Sequence, residues 1–301
     1  MIVEFQVPLW FEVGSLVVLS LVLIADLMLA VWRPHEPSTR ESALWVGFYV
    51  VLALGFAWLM FIFAGAQYGA EFLAGWVTEY SLSIDNLFVF VLILASFNVP
   101  RKYQQQVLMI GILLAIVFRG AFILLGAALI ASFSWIFYVF GAFLVVVGIQ
   151  QFFSGRSDDV ERESKLSAFL SQRLHVVNEY DGLKLRIQHQ GRKAFTPVIV
   201  VLIALGTADV IFAVDSIPAI YGITESPFIV FTANVFALMG LRQLYFLLGH
   251  LIDKLEYLHW GIAFILTFIG LKLVFHALHE NELPFLNGGE HILWAPDIGT
   301  W

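Results

Sequence analysis

The sequence contains no cysteine. Disulfides, thiolate catalysis and cysteine-built zinc or iron–sulfur sites are therefore excluded. Charge is scarce as well: only 13% of the 301 residues are Asp, Glu, Lys or Arg, against about 25% in an ordinary globular domain. A soluble chain of this length has too much surface to cover with so few charges. A cytosolic enzyme and a disordered scaffold are excluded on that ground. A nucleic-acid binder is excluded too, and the net charge of −7 agrees. What fills the chain is apolar: 60% of it, with 29 phenylalanines and a mean hydropathy of +0.87. That composition predicts a polytopic, all-α membrane protein. Glu4 and Glu12 precede the first apolar run, with no Lys or Arg there. This is unlike a cleavable signal peptide and predicts a retained first helix.

Eight apolar segments are long enough to cross about 30 Å of hydrocarbon as helices. They cover roughly 13–32, 43–65, 72–96, 107–129, 133–153, 197–223, 228–249 and 258–279, in a single membrane domain. They are continuous rather than alternating, which argues against a β-barrel. Of the 16 Lys and Arg, Arg119, Arg242 and Lys272 fall within segments. The other 13 all lie in connections on one side: after segments one, three and seven, and in the loop 154–196. The positive-inside rule puts these connections in the cytoplasm and the N-terminus outside, in a cytoplasmic membrane. Within 154–196, Leu166, Phe169, Leu170 and Leu174 repeat at helical spacing, which predicts an interfacial amphipathic helix. Residues 184–196, centred on Gly191, predict a small hairpin.

Segments three to five resemble segments six to eight. EYSLSIDN from Glu79 parallels the stretch TADVIFAVDS from Thr207. In both, two acids stand six apart, Glu79/Asp85 and Asp209/Asp215, and a polar residue follows, Asn86 or Ser216. RGAFILLG from Arg119 parallels RQLYFLLG from Arg242, and VGIQ from Val147 parallels IGLK from Ile269. The offsets, 130, 123 and 122 residues, are collinear and nearly constant. Three helices per copy make the second copy enter from the opposite side. This predicts an inverted repeat of three helices, an architecture of secondary transporters.

The acids within segments are Asp26, Glu79, Asp85, Asp209 and Asp215. The bases are Arg119, Arg242 and Lys272, so two negative charges are left unmatched. A charge at the bilayer centre costs about 2.5–3.5 kcal/mol on insertion scales, so these groups must face inward and pair. One divalent cation or two protons would neutralise the surplus. Six residues along a helix separate side chains by about 120° and roughly 9 Å. Glu79 and Asp85 therefore cannot share one ion from a regular helix. Either the helix is interrupted, or each acid meets a partner from the other repeat. Pro218 would free the Val214 carbonyl beside Asp215, which predicts an interruption there. The expected ligands are Glu79, Asp85, Asn86, Asp209, Asp215 and Ser216, all hard oxygen donors suited to Mn²⁺, Mg²⁺ or Ca²⁺. Asp26, Arg119, Arg242 and Lys272 are read as supporting charges. A second site at the outer mouth would use His276, His279 and Glu280. Pro197 and Pro227 open helices.

At EYSLSIDNLFVF, FRGAFILLGAALI, FGAFLVVVGI, ADVIFAVDSIPAI and NVFALMGLR the chain resembles the TerC family of integral membrane proteins, in particular its Alx-like branch. The resemblance covers about 10–280. It implies a membrane protein named for tellurium resistance and related to cation exporters, with Mn²⁺ efflux as the role. The family's acidic motif residues match Glu79, Asp85, Asp209 and Asp215, and its polar neighbours match Asn86 and Ser216. Members usually carry a ninth helix after the external tail. Here the chain stops at Trp301, so such a helix is expected to be missing.

The resulting expectation is a divalent-cation transporter. It works by alternating access at the carboxylates, with protons as a coupling ion and no organic cofactor. The rival is a membrane scaffold or stress-response protein using 154–196 as a docking surface. An enzyme is not expected, because neither a Ser–His–Asp order nor HExxH places a base near the buried acids.

Overall fold

A computed structural model describes residues 7–32, 38–133, 135–153, 176–177, 180–189, 192–248 and 258–279, with isolated positions 281, 283, 286–287, 292 and 296. The amphipathic stretch expected at 166–174 lies outside them. The helices are α1 (Leu9–Trp32), α2 (Thr39–Phe63), α3 (Ala66–Ser96), α4 (Arg101–Ser132), α5 (Ile136–Phe153), α6 (Pro197–Tyr221), α7 (Pro227–Leu238), α8 (Leu241–Leu248) and α9 (Leu258–His279). Two short strands, β1 (Arg186–His189) and β2 (Arg192–Phe195), pair antiparallel as the expected hairpin. The protein is a transmembrane helix bundle. Among the described residues six stretches are long and apolar enough to span: Leu9–Asp26, Thr39–Phe63, Ala66–Ala95, Arg101–Ile130, Pro197–Tyr221 and Pro227–Leu247. Ile136–Gln150 and Ala263–His279 are shorter apolar stretches.

Several helices outrun their apolar segments, and local chemistry explains where they start. Ser38 caps α2, its Oγ accepting from the Glu41 N–H at 3.2 Å. α4 begins at Arg101, and its first turns are polar (Arg101, Lys102, Gln104–Gln106). At about 1.5 Å per residue it is longer than the hydrocarbon is thick, so these turns can stand in the interface. Proline opens α6 and α7 at their first turns.

The packing runs between distant parts of the chain. α3 packs on α7, α4 on α6, α3 on α6, and α5 on α9. Exchanging α3–α5 with α6–α9 turns the first contact into the second and leaves the other two unchanged. The α5–α9 crossing is built on small residues. A Cβ added to Gly141 would lie 2.8 Å from the Gly270 carbonyl oxygen, and one added to Gly270 would lie 2.7 Å from the Val145 nitrogen. One added to Gly148 would lie 3.0 Å from the Ala263 carbonyl oxygen. The two backbones approach closely at these glycines, with Val145, Thr267 and Val274 packed beside them, as small residues permit in membrane helix pairs.

Two backbone features differ from expectation. α6 remains helical through Pro218, so the predicted interruption there is absent. The interruption falls instead in the seventh segment, expected to be continuous, between α7 and α8. Gly240 adopts φ +83° there, and Met239 ends α7 with its N–H on the Val235 carbonyl. The left-handed region is open to glycine and costs other residues about 1–2 kcal/mol. A Cβ on Gly240 would also sit 2.8 Å from Tyr49 Cδ2. Gly240→Val should therefore lower stability by about 2–4 kcal/mol. Thermal unfolding in detergent would register this as a drop in midpoint, and an unchanged midpoint would contradict the strained turn.

Candidate functional site

Arg119, on α4, is the largest fully buried side chain among the described residues, only 1% exposed. A buried guanidinium must be paired, because leaving its charge uncompensated is costly. Its Nη1 donates to Glu79 Oε2 of α3 at 2.9 Å, and its Nε donates to Asp209 Oδ1 of α6 at 3.2 Å. With the Asn86 amide oriented to suit its neighbours, Nη2 donates to the Asn86 oxygen at 3.2 Å and the Asn86 nitrogen donates to the Leu82 carbonyl. Glu79 and Asp209 are the equivalent acids of the two related motifs, and both lie on unbroken helices. Each meets its counterpart from the other motif, the second of the two arrangements that the six-residue spacing allows.

The arginine uses one oxygen of each carboxylate. Among the described residues, Glu79 Oε1 and Asp209 Oδ2 are buried without a hydrogen-bond partner, and so is Ser216 Oγ. Asp215 lies about 9 Å further along α6, within electrostatic reach of both Arg119 and Glu79. The side chain of Asp85, on α3, lies outside the described ones. Asn234 of α7 stands near Glu79, with its amide nitrogen buried and outside hydrogen-bond geometry among the described residues. Among the described residues, no three His, Asp or Glu side chains converge closely enough to hold a metal ion.

Arg242, which the repeat aligns with Arg119, goes elsewhere. Its Nη2 donates to Asp26 Oδ1 of α1 at 3.0 Å, and the Tyr49 hydroxyl donates to the same oxygen at 2.6 Å. The turn at Gly240 stands two residues before Arg242 and redirects the chain there. The two arginines thus have different roles: Arg119 bridges the paired acids, and Arg242 ties α1 to the start of α8.

Lys272 and His276 line a polar cavity of about 470 Å³ together with Glu71, Thr224 and Glu225, at the end opposite the basic connections. Glu71 is buried and accepts from Thr224 Oγ1 at 2.6 Å and Gln67 Nε2 at 2.9 Å. His276 packs edge-on against Phe137 with ring centroids 5.4 Å apart. His279 ends α9, and Glu280 lies outside the described residues. Sequence reasoning missed Glu71 and Asn234. Glu71 stands just before the apolar run of the third segment, where an acid reads as interfacial. Asn234 carried a usable signal, a lone amide in the apolar run FTANVF.

The family model for the integral membrane protein TerC family matches residues 64–294, which include every acid of the paired motifs. An uncharacterized membrane protein of Mycobacterium tuberculosis is 41% identical over 292 residues, covering 93% of this chain and 72% of that protein. One from Myxococcus xanthus is 37% identical over 269 residues, covering 88% and 82%. A protein of Escherichia coli K12 named as the membrane-bound redox modulator Alx is 37% identical over 270 residues, covering 87% and 84%. No solved structure matches the chain. A helix bundle that buries the leading acids of two related motifs, Glu79 and Asp209, around one arginine therefore belongs to the TerC family of integral membrane proteins.

Proposed function

We propose that the protein exports a divalent cation, Mn²⁺ first among them, across the cytoplasmic membrane, with its basic connections in the cytoplasm. One observation carries this reading. Glu79 and Asp209 face each other from α3 and α6, deep in the bundle, and each keeps a buried oxygen without a partner among the described residues. Buried carboxylate oxygens are costly unless satisfied, and hard oxygen donors suit Mn²⁺, Mg²⁺ and Ca²⁺. Asn86, Asp215 and Ser216 supply further oxygens along the same helices, and Asp85 completes the first motif. The same carboxylates accept protons, which makes proton exchange the natural coupling. The α3–α7 and α4–α6 contacts give the two triplets matching interfaces about which alternating access would occur.

The name of the Escherichia coli relative raises a redox role. The 301 residues here contain no cysteine, so a redox effect of this chain would follow from the cation it moves rather than from thiol chemistry of its own.

The decisive measurement is ⁵⁴Mn²⁺ flux in proteoliposomes, with and without a pH gradient, for wild type and Asp215→Asn. Asp215 makes no salt bridge with Arg119, so its amide variant should fold. Wild type should show saturable flux that the gradient accelerates, and the variant at least a tenfold loss. Equal flux in both would overturn the site.

A further inference from the structure

Resting on the transport reading, we infer that Arg119 is a tethered cation that occupies the Glu79–Asp209 seat between transport events, and that Asp215 is the second seat its guanidinium takes when a divalent ion displaces it.

The hydrogen-bond pattern points this way. A guanidinium fixed for structure alone is best served by the two-bond fork onto one carboxylate. Arg119 instead divides its donors among Glu79 Oε2, Asp209 Oδ1 and the Asn86 amide, with one bond to each. It holds three of the expected ligand residues and leaves the second oxygen of both acids without a partner among the described residues. An arrangement of three single bonds can be given up one at a time.

Charge balance gives the exchange its direction. Two carboxylates against one guanidinium leave the seat at −1, whereas a divalent cation neutralises it. The displaced guanidinium must then find another anion, because a buried charge stripped of its partner is strongly destabilising. Asp215 meets this need. It lies on the same helix as Asp209, already feels the charge of Arg119, and makes no ion pair among the described residues. Arg242 cannot take the same part, since Asp26, itself held by the Tyr49 hydroxyl, pairs with it at α1. One tether therefore serves both acids. Return of Arg119 to its first seat expels the ion, and the emptied protein keeps its carboxylates compensated.

The test uses the full chain in detergent and in proteoliposomes, with Mn²⁺ as the probe. Binding is measured by titration calorimetry or by loss of the free-Mn²⁺ resonance signal. Arg119→Gln should bind Mn²⁺ at least tenfold tighter than wild type, yet turn over at least tenfold more slowly. Its unfolding midpoint should fall in chelator and recover with Mn²⁺ by more than that of wild type. Arg119→Lys keeps a buried cation and covers the case in which the glutamine variant does not fold; it should bind at least threefold tighter. Wild type that carries Mn²⁺, with folded Arg119 variants that bind it no more tightly, would overturn the tether alone. Wild type that neither binds nor carries Mn²⁺, Mg²⁺ or Ca²⁺ would overturn the transport reading and the tether with it.

Discussion

Gly270→Leu should abolish folding. The added Cβ would lie 2.7 Å from the Val145 nitrogen and 2.8 Å from the Gly141 carbonyl oxygen, and both are backbone atoms of a helix that cannot step aside. Overpacking against side chains costs about 1–3 kcal/mol because rotamers adjust. Here the helices themselves must separate, so a loss beyond about 4 kcal/mol is expected. Against a total stability of roughly 5–15 kcal/mol, little monodisperse protein should survive size-exclusion chromatography. Gly55→Leu is the matched control. Nothing lies within 4 Å of the Cβ that would be added there, on the lipid-facing side of α2. If the Gly270 variant eluted like the Gly55 variant, the close crossing would be wrong.

Asp209→Asn should leave a folded protein that does not transport. Arg119 keeps its 2.9 Å contact with Glu79 and its bond to Asn86, so the loss is one charge-assisted hydrogen bond, about 1.5–3 kcal/mol. Function should suffer far more, because the seat loses half its negative charge. Flux is expected to fall by about two orders of magnitude, equivalent to ~3 kcal/mol in the barrier. Glu79→Gln should behave alike, and the two together should be far from additive, since both acids serve one guanidinium and one seat. Wild-type flux in a folded Asp209→Asn protein would remove the pair from the mechanism.

Much of this was legible beforehand because charge is so rare in the chain. The acids of the two motifs stand out against apolar runs, and their common spacing marks Glu79 and Asp209 as counterparts before any contact is known. The helical class and the hairpin at 186–195 follow from composition and turn residues. Two things did not follow. Pro218 suggested an interruption that α6 does not have: the proline removes one donor, the partner of the Val214 carbonyl, and the helix continues through it to Tyr221. The real interruption, at Gly240, sits against Tyr49 of another helix, a contact that no local pattern encodes. Without that break the two arginines look equivalent. Their division between the acid pair and Asp26 could be learned only from three dimensions.

The α5–α9 crossing has a mechanical consequence. Packed side chains let neighbouring helices slide by changing rotamers, but a joint where backbones approach this closely has few rotamers to change. α5 and α9 must therefore move as one stiff spindle. Any tilting of α3 and α4 against α6 and α7 would then leave that crossing unchanged and be taken up at the side-chain contacts of the α3–α7 and α4–α6 interfaces.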